Sequence, residues 1–242
     1  MNKELLIQIG RDHALGVSQA AAIYAATHAA VDDAAKAVLE VGYYLYAGAA
    51  LTTLKPQHRE VLDNASEKEL ASLSSYAHRT FNGGDLRDFV LALRRMEELH
   101  GGIGSFFETR YEATRSIPAV FAEFRREFFS YGNAPRCEKH LSSIEKGAAC
   151  KRLCMYLRWM VRSDGRGVDF GEWTRIPMSA LYIPLDVHTG NMSRALGLLT
   201  RRQNDWRAVE QTTASLRMFD PADPVRYDFS LFGAGIDGYL KA

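Results

Sequence analysis

Lys151 is the residue whose position most directly suggests chemistry. It follows the short segment KGAAC at positions 146–150, and the residues after it predict a helix that runs to about Arg162. The dipole of that helix and the adjacent Arg152 both disfavour a further positive charge here, so they favour the neutral, nucleophilic amine. The commoner role of such a lysine is to lie at the surface, in contact with solvent or with a phosphate bound at the helix start.

Asp186 is the second candidate for a chemical role. It stands in the segment IPLDVHT at positions 183–189, directly before a predicted helix. An aspartate in this position is typically an N-cap, which accepts a hydrogen bond from the first turn. It could also act beside Lys151, because a carboxylate next to a reacting sugar stabilises developing positive charge and assists proton transfer. The residues alone leave both interpretations open.

The helix after Lys151 has two predicted faces. Met155, Arg158 and Arg162 follow Lys151 at helical spacing and predict a cationic stripe, whereas the other face is predicted to pack in the core. The core-facing residues are Leu153, Leu157, Met160 and Val161. Between positions 136 and 202 there are twelve basic residues against six acidic ones, although the whole chain has a net charge of +1. A basic surface is therefore expected in the region of the two candidates.

The composition is that of an ordinary globular protein. Of the 242 residues, 47% are hydrophobic and 24% are charged, which suits one large domain or two smaller ones that share a cleft. Three cysteines do not make a disulfide framework, and Cys150 and Cys154 are expected to be core thiols rather than metal ligands. The amino terminus lacks a signal-peptide pattern, and the uncharged stretch 41–54 is too short for a membrane span. A cytoplasmic protein is therefore expected.

The chain reads as a series of helices, so the predicted fold class is all-α. Ser66 and Glu69 form a capping box that would begin one helix. Further helices are predicted from Asp85 to Gly101, from Pro118 to Gly132, from Asn204 or Asp205 onward, and from Asp223 and Pro224 onward. Strand signals are weak, since Pro184 interrupts the short apolar run 181–185. The first 50 residues have helical character and contain no recognisable motif.

Two of these segments resemble parts of the helix-hairpin-helix DNA glycosylases. KGAACKRLCMYLRWMVR, at 146–162, is similar to their hairpin and second helix, and PLDVHTGNMSRALGL, at 184–198, to their VDTHVxRVxxRLG segment. From Tyr76 to Gly235 the chain more closely resembles a largely bacterial family of unknown function within that superfamily. The segments that carry this resemblance are YAHRTFNGGDL, KRLCMYLRWMVRSDGRGVDFGEW, IPLDVHTG and FDPADPVRYDFSLFG. This family is in turn similar to the archaeal 8-oxoguanine DNA glycosylases.

The resemblance implies two all-helical lobes, with a helix-hairpin-helix element and a central cleft. One lobe would comprise about residues 1–60 and 186–242, and the other about residues 61–185 with the hairpin. The implied activity is that of a DNA glycosylase and AP lyase, which excises an oxidised purine such as 8-oxoguanine from double-stranded DNA. Such a protein would act as a monomer at the nucleoid, without membrane or metal. No cofactor is expected, since no four-cysteine iron–sulfur motif follows Asp186.

The functional residues of the superfamily can be carried over onto matching positions of this chain. The resemblance implies that Lys151 is the nucleophile that forms a Schiff base, with Lys146 as the fallback, and that Asp186 is the catalytic carboxylate. The residues that would contact DNA are Lys146, Gly147, Arg152, Arg158 and Arg162. In the superfamily the helix that matches Phe229 and Phe232 lines the pocket for the flipped base. Two further candidates for this pocket follow from their own positions: Trp173, which lies in a loop-like stretch and could stack on the base, and His188, which lies two residues after Asp186.

Two departures from the superfamily pattern motivate other functions. The usual Gly-x-Gly of the hairpin is Gly147-Ala148-Ala149 in this chain, and Asn191 stands where an arginine is often found after the aspartate. The altered hairpin, together with the first 60 residues, which do not match the superfamily, motivates the first alternative, a DNA-binding module that keeps the glycosylase fold without catalysis. A scaffold protein that keeps only the fold is the second.

Overall fold

The computed structural model describes residues 77–78, 80–163 and 169–236, together with Ser66 and Lys68. These residues are mostly helical, as the sequence predicts, and include a small hairpin of strands β1 (Ala77–His78) and β2 (Phe81–Asn82). They divide into two compact units, a first unit of residues 77–143 and a second unit of residues 144–236. The predicted lobes, divided near residues 60 and 186, are a different partition and stay a prediction.

Two of the sequence predictions concern residues outside this description. The capping box of Ser66 depends on Glu69, and the helical character of the first 50 residues also falls outside the described positions. Among the helices that are described, none is long and apolar enough to cross a membrane.

In the first unit, local signals at both ends define helix α1 (Gly83–His100). The Asn82 side chain accepts a hydrogen bond from the Asp85 amide, and the Asp85 carboxylate accepts one from the Asn82 amide, both at 3.0 Å. The helix ends at Gly101, whose left-handed backbone (φ 69°) suits glycine. The face of the helix that packs in the core carries Phe89, Val90, Leu93 and Met96, all of which are buried.

Helices α2 (Ile103–Thr114) and α3 (Ile117–Phe128) follow in the first unit. Ser116 caps α3 by accepting a hydrogen bond from the Ala119 amide, and Pro118 lies in the first turn, as predicted. The sequence pattern did not predict α2, because glycines precede it and, within the described residues, no side chain caps its start. Aromatic rings dominate the core of this unit, at Phe106, Phe107, Phe121, Phe124 and Phe128.

The second unit contains helices α4 (Lys151–Val161), α5 (Val187–Ala195), α6 (Trp206–Arg217) and α7 (Asp228–Ile236). The predicted core face of α4 is confirmed, since Leu153, Leu157, Met160 and Val161 are buried. Helix α6 begins after the predicted cap, Asp205, whose carboxylate accepts a hydrogen bond from the Ala208 amide at 3.1 Å. The last helix begins later than predicted, because Pro224–Tyr227 form a 3-10 turn before α7 begins at Asp228.

Close packing of α5 against α7 fixes the region that carries Asp186. A Cβ atom at Gly235 of α7 would lie 2.9 Å from the carbonyl oxygen of His188 in α5, closer than real Cβ atoms come to other atoms. The run 181–185 leads into α5 in an irregular conformation, as the position of Pro184 suggests, with Leu181, Ile183 and Leu185 buried. The start of α5 is therefore held both by the chain before it and by the helix beside it.

Candidate functional site

The structure brings Lys151 and Asp186 together within the second unit. Lys151 is the first residue of α4, and Asp186 is the N-cap of α5. The Lys151 Nζ atom donates a hydrogen bond to Asp186 Oδ2 at 2.9 Å. The lysine side chain is 47% exposed, whereas the aspartate side chain is only 13% exposed. The pair therefore presents an amine that solvent or a ligand can reach, backed by a largely enclosed carboxylate.

Asp186 serves as the helix cap that the sequence predicts. Its Oδ1 atom accepts a hydrogen bond from the Thr189 amide at 2.8 Å. Burial acts to raise the pKa of Asp186, but the hydrogen bonds from Thr189 and from Lys151 outweigh it, so the pKa lies below its ordinary value. The carboxylate is consequently negative at neutral pH. It is suited to stabilising a nearby positive charge and not to donating a proton.

The turn before Lys151 has a distinctive backbone. Gly147 has a φ of 77°, and its amide donates a hydrogen bond to the Ile144 carbonyl at 2.8 Å. Cys150 lies directly before α4 in the left-handed region, with a φ of 47°, which is unusual for a residue with a side chain. Its thiol is buried, as is that of Cys154, in agreement with the expectation of core thiols. The chain therefore turns sharply where it delivers Lys151 into the helix.

The start of α6 holds this turn from one side. The Trp206 amide donates a hydrogen bond to the Gly147 carbonyl at 2.9 Å, and Ala148 pairs with Asp205 in an antiparallel bridge. Arg201 forms an ion pair with Asp205. The hydrogen bonds that Arg201 donates are the main cause that lowers the pKa of the Asp205 carboxyl to about 2. The segment 200–206, termed here the bracing loop, is thereby anchored beside the turn.

The bracing loop also contacts α5, both at Asp186 before its start and at Arg194 in its last turn. The Asn204 side chain donates a hydrogen bond to the Asp186 carbonyl at 3.0 Å, and the Arg194 Nε atom donates one to the Arg201 carbonyl at 2.7 Å. Gly190 leaves room for Asn204, since a Cβ there would lie 2.7 Å from Asn204 Oδ1. One loop therefore ties together the turn before Lys151 and the cap at Asp186. The residues around Asn204 predict only a possible helix cap, because its contact with Asp186 spans 18 residues of sequence.

Arg158 and Arg162, predicted to contact DNA, are instead buried in a network of ion pairs. Their side chains are 1% and 3% exposed. Arg158 pairs with Asp228 and with Asp169, and Arg162 Nη1 lies 2.8 Å from Asp169 Oδ2. Arg162 Nε also lies 2.9 Å from Asp223 Oδ2. Because a buried guanidinium needs carboxylate partners, these arginines connect α4 to the chain around α7 and do not offer their charge to a ligand.

The predicted cationic stripe is accordingly not a surface feature. Of its four positions, only Lys151 is exposed, while Met155 is half-buried and the two arginines are enclosed. Helical spacing places these residues on one side of α4, but it does not say whether that side faces solvent. Lys146, Gly147 and Arg152, the other predicted DNA contacts, are exposed in the structure.

The predicted base-pocket residues fall into two groups. Trp173 is 4% exposed and packs edge-on against Tyr156 at 5.1 Å, and the half-buried Phe229 stacks below the Arg158 guanidinium at 4.0 Å. These two rings belong to the packed interior. His188 and Phe232 are exposed, and their ring centroids lie 5.9 Å apart. Because His188 follows Asp186 by two residues, this aromatic pair is the part of the predicted pocket that a ligand could reach.

The described residues define a mostly helical protein with an accessible lysine paired to an enclosed carboxylate. In this part of the chain, no group of three or more histidine, cysteine, aspartate or glutamate side chains is arranged to hold a metal ion. The chain belongs to the family described as "Protein of unknown function (DUF2400)", whose model matches residues 46–237. Neither a curated protein nor a solved structure matches the chain significantly.

Proposed function

We propose that this protein is a DNA glycosylase with AP-lyase activity, which excises an oxidised purine such as 8-oxoguanine from double-stranded DNA. The observation that carries the proposal is the 2.9 Å contact between Lys151 Nζ and Asp186 Oδ2. A nucleophilic amine beside an ionised carboxylate is the pair that such chemistry requires. The resemblance of segments 146–162 and 184–198 to the helix-hairpin-helix glycosylases, with their two lobes and central cleft, supports the same roles. The protein would act as a monomer.

The reaction would begin with the damaged nucleotide turned out of the duplex. The neutral Lys151 amine would attack C1′ of the sugar, and the bond from C1′ to the base nitrogen would break. The electron pair of that bond leaves with the base, which takes up a proton. Opening of the sugar ring then gives a Schiff base between Lys151 and C1′, and loss of the 3′ phosphate by β-elimination cleaves the strand. Asp186 would stabilise the positive charge that develops on the sugar.

Lys151 must lose a proton before it can attack. The Nζ atom lies 2.9 Å from Asp186 Oδ2, and the lysine side chain is exposed. The exposed amine can release that proton to water or pass it across the 2.9 Å contact to the carboxylate. A substrate that separates Lys151 from Asp186 would break this contact and leave the Nζ atom able to face the sugar.

Borohydride trapping tests the proposal directly. Lesion-bearing duplexes, 8-oxoguanine included, are incubated with borohydride and with the wild type, Lys151→Ala or Lys146→Ala. We expect a covalent complex with the wild type and with Lys146→Ala, and its loss in Lys151→Ala. Adduct formation by Lys151→Ala at the wild-type rate would disprove the assignment, and loss in Lys146→Ala alone would move the nucleophile to Lys146.

A second candidate is a DNA-binding module without catalysis. It is favoured by the contact itself, since Asp186 already caps α5 and an ion pair with Lys151 can serve structure alone. The altered hairpin, Gly147-Ala148-Ala149, points in the same direction. This candidate predicts salt-sensitive duplex binding with no base release from any lesion. Saturable release of a free base would eliminate it.

A further inference from the structure

We propose that Arg202 and Arg207 form, with the exposed side of the turn before Lys151, a surface that contacts the phosphate backbone of duplex DNA. The inference rests on the proposed function. Arg202 and Arg207 would supply the positive charge for DNA binding that the buried Arg158 and Arg162 cannot offer. Arg202 lies in the bracing loop, and Arg207 is the second residue of α6. Both side chains are exposed.

Backbone contacts place these arginines beside the turn. The Trp206 amide donates a hydrogen bond to the Gly147 carbonyl, and Ala148 pairs with Asp205, so the two segments are joined at adjacent positions. The outer side of the turn is open, because a Cβ built at Gly147 would meet nothing within 4 Å in the part of the chain that the structure describes. A strand of phosphates could therefore approach the backbone at Gly147 with Arg202 and Arg207 close by.

The charges of the two segments suit a polyanion. Residues 145–152 and 200–207 together contain six basic side chains and two acidic ones. Asp205 is paired with Arg201, and Lys151 is paired with Asp186 outside the two segments, so neither pair adds net charge to the surface. The remaining excess is positive, as in surfaces that neutralise DNA phosphates.

Two further features favour DNA over a protein partner. The large exposed hydrophobic side chains of the described residues are Leu99, Phe170, Val187, Met218 and Phe232, and these two segments contain none of them. A protein interface would usually present such anchors. Arg207 also lies in the first turn of α6, where the helix dipole disfavours a cation, and the nearby Asp205 carboxylate is already paired with Arg201.

Salt-dependent binding of a fluorescein-labelled, undamaged duplex by the full chain tests this surface. The logarithm of the binding constant falls linearly with the logarithm of the salt concentration, and each phosphate that the protein neutralises adds about 0.9 to the magnitude of this slope. We expect Arg202→Ala/Arg207→Ala to reduce the slope by about 1.8 relative to the wild type, and Arg202→Lys/Arg207→Lys to retain most of it. Arg95→Ala, at an exposed arginine of the first unit, should leave the slope unchanged. Circular dichroism checks that each variant folds.

Three results would overturn the inference. They are an unchanged slope in the double alanine variant, an equal loss in Arg95→Ala, and binding of single-stranded DNA or RNA in preference to duplex. Borohydride trapping by the wild type separates this failure from failure of the proposed function. Trapping with an unchanged slope removes the surface but keeps the enzyme, whereas a reduced slope without trapping keeps the surface and removes the enzyme.

Discussion

Asp186 makes two kinds of contact that a single substitution can separate. Its Oδ1 atom caps α5 through the Thr189 amide, and its Oδ2 atom accepts a hydrogen bond from Lys151. Asparagine caps helices as well as aspartate does, but it carries no charge. A structural role therefore depends on the oxygen that caps, whereas the proposed catalytic role depends on the negative charge.

Asp186→Asn should consequently retain stability and lose activity. We expect the free energy of unfolding in urea to change by less than about 1 kcal/mol, and the single-turnover trapping rate to fall by about a hundredfold or more. Asp220→Asn is the matched control, since Asp220 Oδ1 accepts hydrogen bonds from the Ala222 and Asp223 amides and its Oδ2 atom pairs with Arg226. A wild-type trapping rate in Asp186→Asn would show that Asp186 is a cap and no more.

Asp169 is the carboxylate that the two buried arginines share. Its Oδ2 atom accepts hydrogen bonds from both Arg158 and Arg162. Asp169→Ala would leave buried positive charge without this partner, and we expect a loss of about 3–5 kcal/mol in the free energy of unfolding. Glu98→Ala breaks an exposed ion pair with Arg95 and should cost less than about 1 kcal/mol. Urea titrations compare the two, and equal losses would contradict the structural role given to the network.

At the scale of elements, two glycines allow α5 to pack closely against neighbouring parts of the chain. A side chain added at one of them would meet another side chain, whereas one added at the other would meet backbone. A Cβ at Gly190 would meet the end of the Asn204 side chain, which can rotate away. A Cβ at Gly235 would meet the backbone of His188, which cannot move unless α5 and α7 separate. Both glycines lie within helices, where alanine is intrinsically favoured by about 1 kcal/mol.

Gly235→Ala and Gly190→Ala should therefore differ in what they disturb. We expect Gly235→Ala to destabilise the protein by about 1–3 kcal/mol, because overpacking outweighs the gain in helix propensity. Gly190→Ala should change stability little but slow trapping, because it displaces Asn204 from the Asp186 carbonyl. Thermal unfolding and single-turnover trapping measure the two effects. A larger loss of stability in Gly190→Ala would contradict this account of the packing.

On the scale of the whole molecule, local signals predict much of the described fold and long-range contacts decide the rest. The cap at Asp186 follows from the few residues around it, as does the core face of α4. The burial of Arg158 does not follow from its neighbours in sequence, because its partners Asp169 and Asp228 lie 11 and 70 residues away. Helical spacing cannot distinguish a cation that faces solvent from one that meets a distant carboxylate. The proximity of Lys151 and Asp186, 35 residues apart, was likewise only a possibility until the structure placed them together.

The response of the whole molecule to acid should depend on a buried pair in the first unit. His140 Nε2 lies 3.0 Å from the Asp85 carboxylate, and Cys137 also contacts that carboxylate. Burial lowers the pKa of His140, as do Lys139 and Arg136, although Asp85 acts to raise it. Burial acts to raise the pKa of Asp85, but hydrogen bonds from the Asn82 amide, Cys137 and His140 lower it overall.

Both pKa values are lower in the folded than in the unfolded protein, so the unfolded state binds more protons as the pH falls. The stability that the pair provides at neutral pH is then lost on acidification, first at His140 below pH 6.5 and at Asp85 only near its ordinary value of 3.8. Asp228 of the second unit acts in the opposite sense, because burial raises its pKa. Comparison with a variant isolates the contribution of His140.

His140→Gln keeps a donor N–H group and removes the titrating ring, so it should reduce the loss of stability between pH 7.5 and 5.5. Ser179→Gln, at an exposed, non-titrating position of the second unit, should follow the wild type. Urea unfolding monitored by circular dichroism measures both, and an unchanged pH dependence in His140→Gln would contradict the role of the pair.

All three tryptophans, Trp159, Trp173 and Trp206, lie in the second unit. A shift of the tryptophan fluorescence transition in His140→Gln would therefore show that acid destabilises both units as one cooperative molecule, whereas a shift seen by circular dichroism alone would show that they unfold separately.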